Sequence, residues 1–408
     1  MLTTPLRNRT YRHLYLAQLV ALLGTGLATV ALGLLAYDLA GENAGQVLGT
    51  ALAIKMLAYV LVAPVANALV ARLPRRAVLV AADVLRVAVA LCLPFVAEVW
   101  QIYVLIFVLQ TASATFTPTF QSVIPDVLED EDDYTSALSL SRLAYDLESV
   151  LSPALAAALL TLVSSSTLFL GTAFGFAASA VLVVSVTIPR GIFAEADPTP
   201  FLVRARRGTA LLFSHPSLRP ILLLNLAVAA GAFVIVQTVV IVRSVFDLPE
   251  PWVAWALGAN GLGSMVAAFL LPRILRRARE RTVMLTGATA LTCAVGLTPF
   301  ALSATRMTGL AALLVLWLLI GLGWACVETP VGRIIRRSVD RADLSSAFAA
   351  QFSLQHACWL ITYPLAGWLG AFSLTGSVVV LTVVAGGAVA GAWLLWPRTS
   401  LVPDSVTA

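Results

Sequence analysis

Three apolar stretches of this chain each hold a side chain able to do chemistry. LGTALAIKMLAYVLVAPVANALV (residues 48–70) contains Lys55, the only lysine; apart from histidine, every other basic side chain is arginine. SLSRLAYDLESVL (139–151) carries Arg142, Asp146 and Glu148, and FSLQHACWL (352–360) carries His356. An acid that gives and takes a proton away from water is what a proton-coupled step needs. A nearby ammonium can neutralise that acid or hold an anion, and lysine, unlike arginine, can lose its charge when buried. Imidazole with carboxylates would suit nickel or cobalt, so Asp146, Glu148 and His356 form the candidate metal set. Each residue also has a plainer reading. Arg142 and Asp146 are four apart and can pair along a helix. Lys55 can snorkel or sit in a static pair, and a lone helical histidine can be a packed polar group.

The elements that position these residues follow from composition. Of 408 residues 60% are hydrophobic and 12% charged, and the mean hydropathy is +0.92. Soluble domains hold about 25% charged residues, so lipid is the solvent expected here. A net charge of +5, spread as arginines between apolar runs, does not resemble the basic face of a nucleic-acid binder. Cys92, Cys293, Cys326 and Cys358 lie within apolar runs without CxxC spacing, as buried small hydrophobes do.

A spanning helix needs about 20 apolar residues. Twelve runs qualify, at about 14–38, 46–70, 77–97, 101–122, 137–163, 167–189, 219–244, 252–272, 282–303, 308–328, 345–370 and 374–396. In lipid the backbone must bond to itself, which makes these runs helices. The expected class is an all-α integral membrane protein of twelve transmembrane helices. Arginines gather before the first run, after the second (Arg72, Arg75, Arg76), in the connection 190–217, and at 273–281 and 333–341. All these segments fall on one side of the membrane. The positive-inside rule makes that side, and both termini, cytoplasmic. At 1.5 Å per residue Lys55, Asp146 and Glu148 lie roughly 13 Å deep, in one layer near the midplane. Asp146 and Glu148 are two residues apart, about 200° around a helix, so they cannot share a face.

The chain repeats itself with an offset of roughly 210 residues, as parallel six-helix repeats do. TPTFQSVIPDVLEDEDDYTSALSLSRLAYDLESVLSPALAAAL from Thr117 parallels TPVGRIIRRSVDRADLSSAFAAQFSLQHACWLITYPLAGWL from Thr329. Each runs from Thr-Pro through a charged loop to a helical proline, Pro153 or Pro364. The alignment sets His356 opposite Asp146. Two pseudo-symmetric six-helix bundles are expected, at 1–189 and 218–408, joined by a cytoplasmic connection at 190–217.

On these motifs the chain resembles the major facilitator superfamily over essentially its whole length. It looks most like the branch of macrolide-efflux and enterobactin exporters, with similarity to nickel-resistance exporters in the opening YRHLYLAQLVALLGTGLATVALGLLAYDLAG. The resemblance is carried by Arg72, Arg75 and Arg76, the Asp83–Arg86 pair, FTPTFQSVIPDVL (116–128) and Pro153. Asn67 and Ala71 stand where the family's loop motif usually has glycine and aspartate. The resemblance implies a multi-pass antiporter of the bacterial inner membrane, exporting small molecules and conferring drug resistance. Arg72, Arg75, Arg76, Asp83, Arg86 and Glu328 are then gating candidates. Asp83 and Arg86 read as a latch at a span end, and Glu328 as a lock on the arginines of GRIIRR.

Enzyme motifs such as GxSxG, HExxH and GxxxxGK[ST] are lacking, so neither catalysis nor an ATPase is expected. The expected partners are a small-molecule or metal-ion substrate, protons and the lipid bilayer, with no cofactor and no nucleic acid, and the expected unit is a monomer. Three functions stay open: proton-coupled efflux of amphipathic organic compounds, export of nickel or cobalt, and a non-transporting membrane sensor or scaffold.

Overall fold

The computed structural model describes residues 4–62, 73–128, 130–188, 201–340 and 343–396. Every regular element among them is helical: α1 Arg9–Ala40, α2 Ala44–Leu57, α3 Arg75–Cys92, α4 Val99–Val127, α5 Glu131–Leu159, α6 Leu168–Val184, α7 Phe201–Ser214, α8 Arg219–Ala229, α9 Ala232–Val240, α10 Pro251–Ile274, α11 Glu280–Leu302, α12 Arg306–Ser338, α13 Leu344–Phe372 and α14 Leu374–Leu395. Single π turns extend α2 over Ala58–Val62 and α9 over Ile241–Val245.

Local chemistry sets the helix ends. The Asn8 side chain accepts from the Tyr11 amide at 3.1 Å, satisfying one orphan donor of α1. Its Nδ2 donates to the Val127 carbonyl at 3.2 Å and ties the start of α1 to the end of α4. Gly41, at φ +56°, ends α1, and a positive φ is where glycine costs least. The chain then reverses through Gly41–Asn43 so that α2 packs back on α1. At α4 the side chains of Glu98 and Gln101 form a reciprocal capping box.

Nine segments among the described residues are long and apolar enough to cross a membrane. The first, Arg9–Leu61, is 53 residues long and holds both α1 and α2. Close packing comes from small residues, as in lipid it must, since helices gain no hydrophobic drive there. A methyl group on Gly24 would lie 3.1 Å from the Thr172 carbonyl oxygen, so α1 and α6 touch along their backbones. Trp317 of α12 is fully buried, and its Nε1 donates to Thr238 Oγ1 of α9 at 2.7 Å.

Helices of the first 188 residues pack mainly on one another, with α1 against α5 and α6, and α3 against α4 and α6. Past residue 201, α12 packs on α10 and α11, and α14 on α8 and α11. Between these groups the principal contacts are α2 with α13 and α5 with α10, joined by α2 and α1 with α9. They concentrate at one end. Gly45 and Gly49 in the first turns of α2 meet Tyr363 and Gly367 near the end of α13. Trp368 Nε1 donates to Thr50 Oγ1 at 3.1 Å, and a methyl on Gly45 would meet the Gln237 side chain of α9. The hydroxyls of Tyr37 and Ser244 are 2.9 Å apart. That end lies opposite the arginine-rich connection between α10 and α11.

Candidate functional site

Lys55 sits in the last turn of α2, directly before the π turn, where the Ala58 amide is shared between the Ile54 and Lys55 carbonyls. Single π turns are frequent at functional sites. Lys55 and Tyr59, four residues apart, open onto a cavity of about 260 Å³ enclosed by α1 to α5. Gln18 and Thr25 come from α1, Arg86 from α3, Gln110 from α4, and Tyr145 and Glu148 from α5. Phe116 and Phe120 of α4 add apolar wall. A second, smaller space shares Lys55, Thr25 and Gln110 with the first, so the lysine stands between the two.

Lys55 and Glu148 thus face each other across one chamber and interact through space. No ion pair joins them among the described side chains. The glutamate lies where α1 comes closest: a methyl on Gly26 would meet the Ser152 side chain and lie 2.5 Å from Glu148 Oε1. Glycine at 26 therefore makes room for the carboxylate. The side chains of Arg142 and Asp146 lie outside the described residues, as does all of Arg72.

The Asp83–Arg86 ion pair is formed on one face of α3. It lies deep in the helix packing rather than at a loop, with Asp83 fully buried and Arg86 only 4% exposed. Ser179 of α6 donates to Asp83 Oδ2 at 2.8 Å. The guanidinium stacks over Phe116 at 4.1 Å and Phe176 at 4.5 Å. Such cation–π contacts strengthen when water is excluded. Arg86 reaches the cavity as well, which its spacing in the sequence did not suggest.

The loop arginines hold the base of the first half together. Arg75 pairs with Asp126 at the end of α4, and Arg76 donates to the Val184 carbonyl closing α6. In the second half Arg333 and Arg337 reach Glu280 at 3.6 and 2.6 Å. Among the described side chains the acid that Arg333 and Arg337 reach is Glu280. Five residues separate Glu328 from Arg333, about 140° around α12, whereas Arg333 and Arg337 share a face and reach the start of α11. Glu328 lies near Cys358 of α13.

His356 of α13 is outside the cavity wall. Its Nδ1–H donates to the Phe352 carbonyl at 2.7 Å, which leaves Nε2 as the acceptor. The ring packs on Phe352 at 3.9 Å and on Tyr59 at 5.8 Å, close enough to interact with Lys55. Tyr59 is therefore the link between the cavity and the second half. It was missed in the sequence because it lies within the π turn over Ala58–Val62, where regular helical spacing no longer holds. Among the described residues no cluster of three histidine, cysteine or acidic side chains could hold a metal ion. Gln18, Thr25 and Gln110 line the cavity as polar residues in apolar helices can. Asn225, Gln237 and Asn260 serve as helix-to-helix hydrogen-bonding groups, on Gln351, Ala366 and Trp317.

Residues 14–312 match the model of the Major Facilitator Superfamily. The chain belongs to that superfamily. It is 24% identical over 346 residues to the MFS-type transporter YfiS of Bacillus subtilis (strain 168), covering 80% of each chain. It is 24% identical over 218 residues to macrolide efflux protein A of Streptococcus pyogenes, covering 52% of this chain and 53% of that one. In fold it is similar to the nucleoside transporter NupG, with a TM-score of 0.75 at 12% identity over 95% of this chain and 100% of that one. The peptide transporter POT superposes with a TM-score of 0.70 at 13% identity, over 94% and 93% of the two chains. This chain is thus a multi-pass membrane transporter of the superfamily, not an enzyme.

Proposed function

We propose that the protein is a proton-coupled exporter of small amphipathic organic compounds, working by alternating access of two six-helix halves across the cytoplasmic membrane. The observation that carries this reading is the Lys55–Glu148 chamber: two opposite charges face one cavity without forming an ion pair. A proton on Glu148 removes its attraction for Lys55, and a substrate displacing that proton restores it. Charge in the chamber then differs between the loaded and unloaded states, which is the differential interaction that a coupled cycle requires. The wall is mostly neutral, built from amides, hydroxyls and the rings of Phe116, Phe120, Tyr59 and Tyr145. Such a wall suits compounds with an apolar body and few polar groups.

Twelve spans follow if α8 and α9 make one span and α7 lies outside the bilayer. Among the described residues, contacts between the halves concentrated at one end are what alternating access expects of a state closed at that end. The halves would be residues 1–189 and 218–408, with the arginine-rich side, both termini and the connection at 190–217 in the cytoplasm. Arg75 and Arg76, fastened to α4 and α6, would couple the start of α3 to those helices. Efflux, rather than uptake, rests on the likeness to the macrolide efflux protein. The nickel or cobalt reading draws no support from the chamber, where the Lys55 ammonium opposes a divalent cation.

The test uses the purified protein in vesicles with an imposed pH gradient. A panel of fluorescent amphipathic compounds is followed for wild type, Lys55→Ala and Glu148→Gln. Wild type should move at least one compound against its gradient, and both variants should lose the pH dependence of that flux. Unchanged, pH-dependent flux in both variants would remove Lys55 and Glu148 from the mechanism.

A further inference from the structure

A second cavity, of about 430 Å³, lies between α11 and α14 on the outside of the second half, away from the charged chamber. Leu285, Thr289 and Cys293 of α11 face Gly386, Val389 and Trp393 of α14 across it. Its wall is apolar in effect. The hydroxyls of Thr289 and Thr292 are turned back onto the Leu285 and Ala288 carbonyls at 2.8 Å each. Gly386 and Gly387 have no other atom within 4 Å of where a side chain would begin, so this part of α14 is stripped down to backbone.

A contact between the two helices bounds the groove at each end. Beyond Cys293 the two helices meet where Gly296 packs against Thr382, at 3.1 Å for an added methyl. In the other direction the groove runs toward the arginine-rich end. There Arg281 of α11 donates to the Trp393 carbonyl at 3.3 Å. The neighbouring Glu280 is engaged by Arg333 and Arg337, and no ion pair holds Arg281 among the described residues. The stretch from Leu285 to Cys293 is roughly 12 Å long.

We propose that this groove binds one anionic phospholipid, with an acyl chain between α11 and α14 and its phosphate on Arg281. α14 is lipid-facing here: Trp393, Leu394 and Val383 are 50%, 72% and 68% exposed. A chain entering from the bilayer finds apolar wall up to the Gly296–Thr382 contact. The end from which it enters carries Arg281, with Arg276, Arg277 and Arg279 in the same connection. An arginine near the membrane surface attracts anionic lipid, and a guanidinium matches phosphate geometry. The site is independent of the transport reading, since none of its residues lines the charged chamber.

The test is lipid titration of the purified protein in detergent, read by native mass spectrometry. Phosphatidylglycerol and phosphatidylcholine of equal chain length are the probes. Wild type should take its first phosphatidylglycerol about fivefold more tightly than its first phosphatidylcholine, the scale of one arginine at a membrane surface. Arg281→Gln should abolish that preference and keep one bound lipid. Gly386→Phe should weaken the first binding of both lipids. A second measurement needs no variant: alkylation at the Cys293 peptide of the wild type should slow as phosphatidylglycerol is added and ignore glycerophosphoglycerol, the same headgroup without chains. Equal affinity for the two lipids, or a Cys293 labelling rate indifferent to phosphatidylglycerol, overturns the proposal.

Discussion

Gly49→Ala probes the contact that holds α2 against α13. A methyl at Gly49 would lie 2.6 Å from the Tyr363 carbonyl oxygen and 3.1 Å from Gly367 Cα. Both neighbours are backbone, so no side-chain rotation relieves the clash, and the helices must part. Overpacking of this kind costs about 1–3 kcal/mol. If α2 and α13 touch at this end in only one of two states, the cost falls on that state alone. Its population relative to the other should then drop by about 5- to 150-fold. Spin labels at Glu42 and Ser373, both exposed, would report the separation of that end by pulsed electron resonance. The variant should gain a longer-distance population at the expense of the short one. Gly387→Ala, with nothing within 4 Å, is the control for the gain in helix propensity and should leave the distances alone. A Gly49→Ala protein that folds normally and keeps the wild-type distance distribution refutes the reasoning, because the contact would then be equally present in every state.

Three further outcomes follow from the same geometry. Asp83→Ala leaves the Arg86 charge buried without its partner and should cost about 3–5 kcal/mol, seen as a lowered unfolding temperature; Asp83→Ala with Arg86→Met should recover most of the loss. Gly26→Ala should displace both Ser152 and the Glu148 carboxylate, which an added methyl meets, lowering proton-coupled flux several-fold in vesicles and stability by about 1–3 kcal/mol. Glu250, at the start of α10, has its carboxyl held above the usual range by partial burial first and by the charge of Asp38 second, against the pull of Arg243 and a hydrogen bond from Ser165. A raised carboxyl favours the protonated folded state, so its contribution to stability is present at low pH and is lost as pH rises through the folded value. Unfolding temperature followed through the carboxylate range should show that fall in wild type, and Glu250→Gln should flatten it.

The helices were legible because lipid leaves the backbone no partner but itself, and each of the apolar runs holds helix where it is described. The Asp83–Arg86 pair was legible too, since three residues along a helix bring side chains to one face. Rotation was not. Whether Lys55 meets Glu148 depends on how α2 and α5 turn about their own axes, and that is fixed by which small residues let neighbours approach. Gly26 is one such residue: it admits the Glu148 carboxylate, yet in sequence it is one of several glycines in α1. The repeat alignment paired His356 with Asp146 as equivalent positions. Equivalence under pseudo-symmetry places two residues at matching depths, not in contact, and His356 spends its Nδ1 on its own helix and its ring on Tyr59. The π turn adds a second obstacle. An extra residue in one turn rotates everything after it by about 100° relative to a regular helix, so the face of α2 beyond Lys55 cannot be read by counting in steps of three and four. The deviation falls where the single lysine needs to sit beside Tyr59. The local break in the helix is therefore better understood as part of how the charge is aimed than as a defect in packing.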